Sequence, residues 1–331
     1  MHKRKLGRQG LEVPALGLGC MGMSWAYGPT DDAESIRVLH RALDLGINFW
    51  DTAEVYGPFK NEELLGRALK GKPRQSVIIA TKFAFKFSPK GEPAGLDSSP
   101  ARIKEAVEGS LRRLGTEYID LYYQHRLDPN TPIEDTAGTL AELVRSGKVR
   151  YFGLSEVGPG TIRRAHAVHP LAAIQTEYSL WERDVEEKVL PEVRRLGIGL
   201  VAYSPVGRGI LSGRIKSPKD FDESDFRRNH PRFTEENFQH NLKLVDAVKE
   251  IASANDVTPA QVALAWVLRQ GNDIVAIPGT KHVRYLEENA RAADLKLPES
   301  VWSALDKALS SFQTAGLRYP EATMKFIDTT D

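Results

Sequence analysis

Short apolar runs alternate along this chain with longer stretches in which apolar residues recur every three or four positions. The runs predict strands at Ala15–Gly19, Ile47–Trp50, Val77–Thr81, Ile119–Tyr123, Arg150–Leu154, Ala172–Thr176, Ile198–Tyr203 and Ile274–Ile277. Between them the helical period predicts helices over Asp32–Leu45, Glu62–Leu69, Ala101–Leu114, Pro132–Ser146, Thr161–Val168 and Val185–Leu196. Gln239–Ala254, Pro259–Arg269 and Val283–Ala292 flank the last strand, and Ser300–Leu309 adds a further helix. The strands are apolar nearly throughout rather than alternating, which is how a sheet buried on both faces reads.

Punctuation supports these boundaries. Thr131-Pro132-Ile133-Glu134 and Thr258-Pro259-Ala260-Gln261 each offer Thr as cap, Pro in the first turn and an acid or amide three residues on. Ser99-Pro100 has the same form without the acid. Gly46, Gly115, Gly147 and Gly197 each close a helical stretch before a strand, where a left-handed terminator belongs.

Eight strand–helix repeats around a buried parallel sheet predict the α/β class and a (β/α)8 TIM barrel, a fold of roughly 250 residues. The whole chain, 1–331, reads as one barrel domain, because no Gly/Ser linker or low-complexity segment divides it. The additions to the barrel are an N-terminal hairpin (Lys3–Leu6 with Glu12–Val13), loops over 83–98 and 205–238, the extra C-terminal helix and a tail from Ser310 to Asp331.

Composition narrows the function classes. Lysines and arginines number 45 against 44 aspartates and glutamates, a net charge of +1, so no bulk field draws nucleic acid or anionic lipid. A lone cysteine, Cys20, excludes an internal disulfide and a thiolate metal cluster, and suits a reducing compartment. Met1–Gly10 is polar and basic with no apolar stretch behind it, and no run approaches the length of a membrane span. The expectation is a cytoplasmic protein without nucleic-acid, membrane or metal partners.

Gly17-Leu18-Gly19-Cys20-Met21-Gly22 fits the spacing of a dinucleotide-binding glycine loop, but that chemistry requires a helix to open on the last glycine. Met23-Ser24-Trp25-Ala26-Tyr27-Gly28-Pro29 follows instead, so the motif is rejected. Polar residues at strand ends are more informative. Asp51 ends the second strand, Lys82 the third and His125 the fourth, with Tyr56 on the loop after Asp51. In a barrel these four converge on the C-terminal rim, where active sites of this fold are built.

Phe49-Trp50-Asp51-Thr52-Ala53-Glu54-Val55-Tyr56-Gly57 and Asn61-Glu62-Glu63-Leu64-Leu65-Gly66 resemble motifs of the aldo-keto reductase superfamily. Thr81-Lys82, Ile119 to Arg126, Gly153-Leu154-Ser155-Glu156, Tyr203 to Gly209 and Ile277 to Asn289 continue the resemblance in the family's order. The Gln124-His125-Arg126 and Gly153–Glu156 variants are most similar to the branch of plant perakine-type and yeast pyridoxal reductases.

The resemblance implies NADPH-dependent reduction of an aldehyde or ketone. It makes Tyr56 the general acid, Lys82 the cation that stabilises its phenolate, Asp51 the anchor of Lys82, and His125 a donor to the substrate oxygen. The physics agrees: a phenol with pKa near 10 is a weak acid at neutral pH, and an ammonium about 4 Å away contributes on the order of 4 kcal/mol at an effective dielectric of about 20.

By matching positions, Ser155 and Gln175 resemble the groups that hold the nicotinamide carboxamide, and Tyr203 the ring on which the nicotinamide stacks. Glu156 stands where Asn is more common. Ser204, Val206, Gly207 and Arg208 resemble the pyrophosphate segment. Thr280, Lys281 and Arg284 resemble the 2′-phosphate site, and Glu288 and Asn289 the adenine contacts. Trp25, Tyr27, Phe83, Phe85 and Trp181 follow strands, where they can wall a pocket for an apolar small-molecule carbonyl. The Arg-rich stretch 226–233 is flanked by acids that cancel its field, and reads as a loop over the cofactor or as solvated surface. The same residues leave one alternative, an NADPH-binding regulatory subunit similar to potassium-channel β subunits.

Overall fold

The computed structural model describes all residues, Met1–Asp331. The barrel strands are β1 (Leu18–Gly19), β2 (Phe49–Asp51), β3 (Ile78–Phe83), β4 (Ile119–Gln124), β5 (Val149–Ser155), β6 (Ala173–Glu177), β7 (Gly199–Tyr203) and β8 (Ile274–Ile277). They pair in chain order, all parallel, and parallel bridges Leu16↔Ala276 and Gly19↔Gly279 close β8 onto β1. Glycine is required at that seam: a Cβ on Gly19 would sit 2.8 Å from the Ile277 carbonyl oxygen.

Eight strand positions were expected and eight strands form the barrel, each shifted by at most a few residues at its ends. The helices around it are α1 (Asp32–Asp44), α2 (Lys60–Leu69), α3 (Pro100–Leu114), α4 (Ile133–Arg145), α5 (Pro159–Val168), α6 (Val189–Leu196), α7 (Glu235–Ser253), α8 (Pro259–Arg269), α9 (Val283–Arg291), α10 (Glu299–Ser310) and α11 (Glu321–Met324). Thr258 and Gln261 form the expected capping box on α8, and Ser99 accepts from the Arg102 amide at the start of α3. Gly46, Gly115, Gly147 and Gly197 all adopt positive φ, between 64° and 76°. The Thr131 cap is not made: α4 begins one residue later, and the Thr131 hydroxyl donates to Asp128 at 2.7 Å.

Two segments expected as loops carry structure. Residues 83–98 contain an antiparallel hairpin, Phe85–Phe87 with Pro93–Leu96, and residues 205–238 wind through four 3-10 turns before α7. Gly17–Gly22 runs from β1 into a 3-10 turn and no helix opens there until Asp32, so its glycine spacing serves the barrel wall.

Strand alternation sorts the core into two layers. Trp50, Ile79, Tyr122, Phe152 and Leu200 point outward and pack under the helices. Phe49, Ala80, Leu121, Tyr123, Ala173 and Val201 point inward. Leu6, Leu11 and Val13 of the N-terminal hairpin (Lys3–Leu6 with Leu11–Pro14) join that inner cluster and plug the bottom of the barrel. The interior is therefore filled from below, and the top is left for chemistry. No helix is long and apolar enough to cross a membrane.

Candidate active site

The side-chain period of two along a strand places the site. Phe49, Ala80, Tyr123, Ala173 and Val201 form part of the inner apolar layer; two residues further along the same strands come Asp51, Lys82, His125, Gln175 and Tyr203. Each polar group thus points into the barrel one layer above the plug. The intervening residues turn outward to structural partners: Thr81 donates to Glu62 at 2.6 Å and Gln124 to Ser98 at 2.8 Å.

Lys82 is fully buried and has three partners. Its Nζ donates to Asp51 Oδ1, to the Thr52 carbonyl at 2.7 Å and to the Tyr56 hydroxyl at 3.2 Å. Gln175 Nε2 donates to the other Asp51 oxygen at 2.8 Å, which fixes the carboxylate. The His125 ring stands edge-on to Tyr56, with centroids 5.8 Å apart, and its Nδ1 is buried without a partner. The loop presenting Tyr56 is pinned by Thr52, which donates to Asn61 at 2.6 Å, and by Asn61, which donates to the Cys20 carbonyl at 2.9 Å.

Burial sets the proton affinities, and charge then adjusts them. Burial pushes the Lys82 ammonium down, but Asp51 and Tyr56 more than reverse it, so Lys82 stays charged. Burial raises Asp51 against the pull of Lys82 and Gln175. Tyr56 is likewise raised by burial, with Lys82 opposing the rise, so the phenol keeps its proton in the resting site. The sequence argument had the ammonium dominating; desolvation outweighs it here. Burial, Arg126 and Lys82 together hold His125 well below the usual imidazole range, as a neutral ring.

Above this set opens a cleft of about 730 Å³ that runs from Tyr56 to the start of α9. Trp25, Tyr27 and Phe85 line it as expected, whereas Phe83 and Trp181 are buried in the core. Ser155, Gln175, Tyr203, Ser204, Val206 and Arg208 line its middle, and Thr280, Lys281 and Asn289 its far end. Gly207, Arg284 and Glu288 do not line it. Gly207 packs under Trp181, Arg284 is exposed and donates to the Tyr285 hydroxyl at 2.7 Å, and Glu288 is paired with Arg214 at 2.6 Å.

The expected cations are partly engaged. Arg208 is paired with Glu177 at 2.8 Å in a buried setting, and Lys281 donates to the carbonyls of Tyr27 at 2.7 Å and Pro29 at 2.5 Å. Glu156 is not free to meet a carboxamide: it pairs with Arg318 and accepts from the Glu177 amide at 3.0 Å. The tail supplies residues the sequence did not reveal. Arg318 also donates to the Tyr203 hydroxyl at 3.2 Å, and the Tyr319 hydroxyl meets that of Tyr203 at 2.6 Å. Arg126, next to His125, reaches Ser155 at 3.4 Å and Tyr319 at 3.4 Å.

The cleft suits a long anionic cofactor. Ser204, Gly207, Arg208 and Gly209 all have positive φ, between 50° and 97°. These residues bend the chain tightly after β7, and the Gly207 and Gly209 amides donate to the Ser204 and Val206 carbonyls at 2.8 and 3.0 Å. Arg208 Nε and both ring nitrogens of His230 are buried at the same place without a protein partner.

A closed (β/α)8 barrel with a buried tyrosine–lysine pair under such a cleft defines an oxidoreductase scaffold that handles carbonyl compounds. The comparisons with known proteins give the family: the profile described as "Aldo/keto reductase family" matches residues 15–310, and the chain belongs to that family. It is 47% identical over 317 residues to "Probable aldo-keto reductase 1" of Glycine max, covering 95% of this chain and 91% of that protein. It is 45% identical over 332 residues to "Aldo-keto reductase yakc [NADP(+)]" of Schizosaccharomyces pombe, covering 98% and 97%. Among solved structures, glycerol dehydrogenase AKR11B4 from Gluconobacter oxydans superposes with a TM-score of 0.85 at 33% identity, covering 94% of this chain and 95% of that one. The holo form of AKR11C1 from Bacillus halodurans gives 0.78 at 31% identity, covering 96% and 98%. The chain is therefore an NAD(P)H-dependent oxidoreductase acting on carbonyl groups, and the Schizosaccharomyces pombe relative carries NADP(+) in its name.

Proposed function

We propose that this protein reduces an aldehyde or ketone to its alcohol, with Tyr56 as the proton donor. NADPH supplies the hydride when bound. The observation that carries the reading is the Lys82 ammonium 3.2 Å from the Tyr56 hydroxyl, in the same pocket as the His125 ring. As negative charge develops on a carbonyl oxygen, Tyr56 gives its proton to that oxygen, and Lys82 stabilises the phenolate left behind. Asp51 keeps Lys82 charged and aimed. Neutral His125 has one N–H to donate to the substrate oxygen, which polarises it and sets its approach.

For the cofactor, Ser155 and Gln175 would hold the carboxamide; Gln175 offers its oxygen and the second N–H of Nε2, the first being committed to Asp51. Tyr203 would carry the nicotinamide ring, and Ser204, Val206, Gly207 and Arg208 the pyrophosphate. Thr280, Lys281 and Arg284 would meet the 2′-phosphate, with Glu288 and Asn289 at the adenine. Gln124-His125-Arg126 and the Ser155-Glu156 pair favour the perakine- and pyridoxal-reductase-like branch. Steady-state loss of NADPH absorbance with a panel of aldehydes and ketones tests the reading. Turnover with at least part of the panel supports it, and stoichiometric NADPH binding with no turnover on any member overturns it.

A further inference from the structure

Four arginines line the cleft, and three of them are matched by a carboxylate: Arg208 by Glu177 at 2.8 Å, Arg214 by Glu288 at 2.6 Å and Arg227 by Asp225 at 2.5 Å. Arg126 is not. It forms no ion pair, and its Nη1 donates to the His125 carbonyl at 2.7 Å and to Ser155 at 3.4 Å. Nη2 reaches only the Tyr319 hydroxyl, at 3.4 Å, and Nε donates to no protein atom. The edge formed by Nε and Nη2 is thus the under-used side of a half-buried guanidinium, and that edge matches a carboxylate bidentately.

Its position limits what the missing anion is. Arg126 directly follows His125 in the bend after β4, and both line the cleft at the end where the carbonyl would react. Its own neighbours are the polar Ser155 and Tyr319, while Trp25, Val55, Tyr56 and Phe85 make the cleft on the His125 side apolar and aromatic. Glu156, Tyr203 and Tyr319 together favour its charge, but none forms an ion pair with it, so its open edge is left for a ligand's carboxylate. The cofactor's phosphates would have a separate place at Arg208, whose Nε is buried without a protein partner.

We propose that the substrate is a carbonyl compound bearing a carboxylate, such as an oxo acid or a carboxylated aldehyde, and that Arg126 binds that carboxylate beside the reacting carbonyl. This rests on the carbonyl-reductase reading of the same site. Arg126 is then a specificity-determining residue, which separates acids from neutral aldehydes of the same shape.

The test uses matched pairs: phenylglyoxylate against methyl phenylglyoxylate, and 4-carboxybenzaldehyde against methyl 4-formylbenzoate, with NADPH and the full-length enzyme. The parent should favour the acid in at least one pair by about tenfold or more in kcat/KM, mostly through KM. Arg126→Met, which keeps the stem and removes the fork, should lower that acid-to-ester ratio by about ten- to a hundredfold, the weight of a charge-assisted hydrogen-bond pair. The ratio cancels any effect Arg126 has through the charge on His125. Arg126→Lys should restore part of it. NADPH affinity, measured by fluorescence, shows that the variant is folded and keeps the arms distinct.

A parent that prefers the ester in both pairs overturns the proposal, as does a ratio unmoved by Arg126→Met. A large loss of NADPH affinity with an unmoved ratio assigns the anion to the cofactor, which also overturns it. Absence of turnover on all four compounds and on simple aldehydes would instead defeat the underlying carbonyl-reductase reading.

Discussion

Lys82 Nζ donates to the Tyr56 hydroxyl across 3.2 Å while Asp51 and the Thr52 carbonyl hold the same nitrogen from behind. Burial raises the phenol and the ammonium opposes that rise. Removing the ammonium therefore moves the phenol further up. In Lys82→Met the alkaline limb of the pH–rate profile for reduction should shift to higher pH, with kcat reduced across the neutral range. The substitution also strands Asp51 as a buried unpaired charge, so unfolding free energy should fall by about 3–5 kcal/mol. A pH titration of kcat and a urea melt read the two effects separately.

At the far end of the cleft, Lys281 lies two residues before the start of α9 and lines the cleft, which Arg284 does not. NADPH should bind more tightly than NADH, and Lys281→Ala should narrow the gap by about one to two decades, at about 1.4 kcal/mol per decade. Because Lys281 also holds the Tyr27 and Pro29 carbonyls, NADH affinity should itself fall slightly. Competitive titration with both cofactors measures each change.

Arg318 joins the tail to the barrel through Glu156, Glu177 and Tyr203. Arg318→Met leaves two buried carboxylates short of a partner. The expected loss is about 3–5 kcal/mol, with faster limited proteolysis between 310 and 331 than in the parent. A parent-like cleavage rate would contradict the anchoring role.

His230 gives a pH dependence with a definite sign. Burial, reinforced by Arg208, pushes its pKa down from 6.5 to about 3. The folded protein therefore holds it neutral where the unfolded chain takes up a proton. Its contribution to stability is complete above about pH 6.5 and is lost as pH falls toward 3, at up to about 1.4 kcal/mol per pH unit. His230→Phe, which suits neighbours Phe226, Phe233 and Tyr319, should flatten the stability curve between pH 6 and 4 relative to the parent. Denaturant melts across that range make the comparison.

The barrel was legible because its strands are buried on both faces, so apolar runs alone mark them, and because Asp51, Lys82 and His125 interrupt those runs at their ends. What escaped the sequence has no local signature. The Phe85–Phe87 hairpin is too short to show a period. Thr131 has the right neighbours for a cap, but a nearer acceptor, Asp128, takes its hydroxyl. Arg318 lies 162 residues from the Glu156 it pairs with, and no spacing rule connects them. That Arg126 has no ion-pair partner is visible only once its neighbours' pairings are known. Tyr56 differs again: the structure brings Lys82 to its hydroxyl as expected, but the balance between desolvation and an ion is set by burial, which a sequence does not state.

The central claim is that Tyr56 is the proton donor. Tyr56→Phe keeps the ring and removes the transferable proton, while Ser155, Gln175 and Tyr203 remain for the cofactor. Rapid mixing of the NADPH-loaded variant with an unactivated ketone measures the chemical step directly. The account predicts a rate constant lower by about 10²–10⁴-fold, with NADPH affinity unchanged. A variant that retains more than about a tenth of the parental rate would contradict it, and would make His125, or a water it positions, the donor.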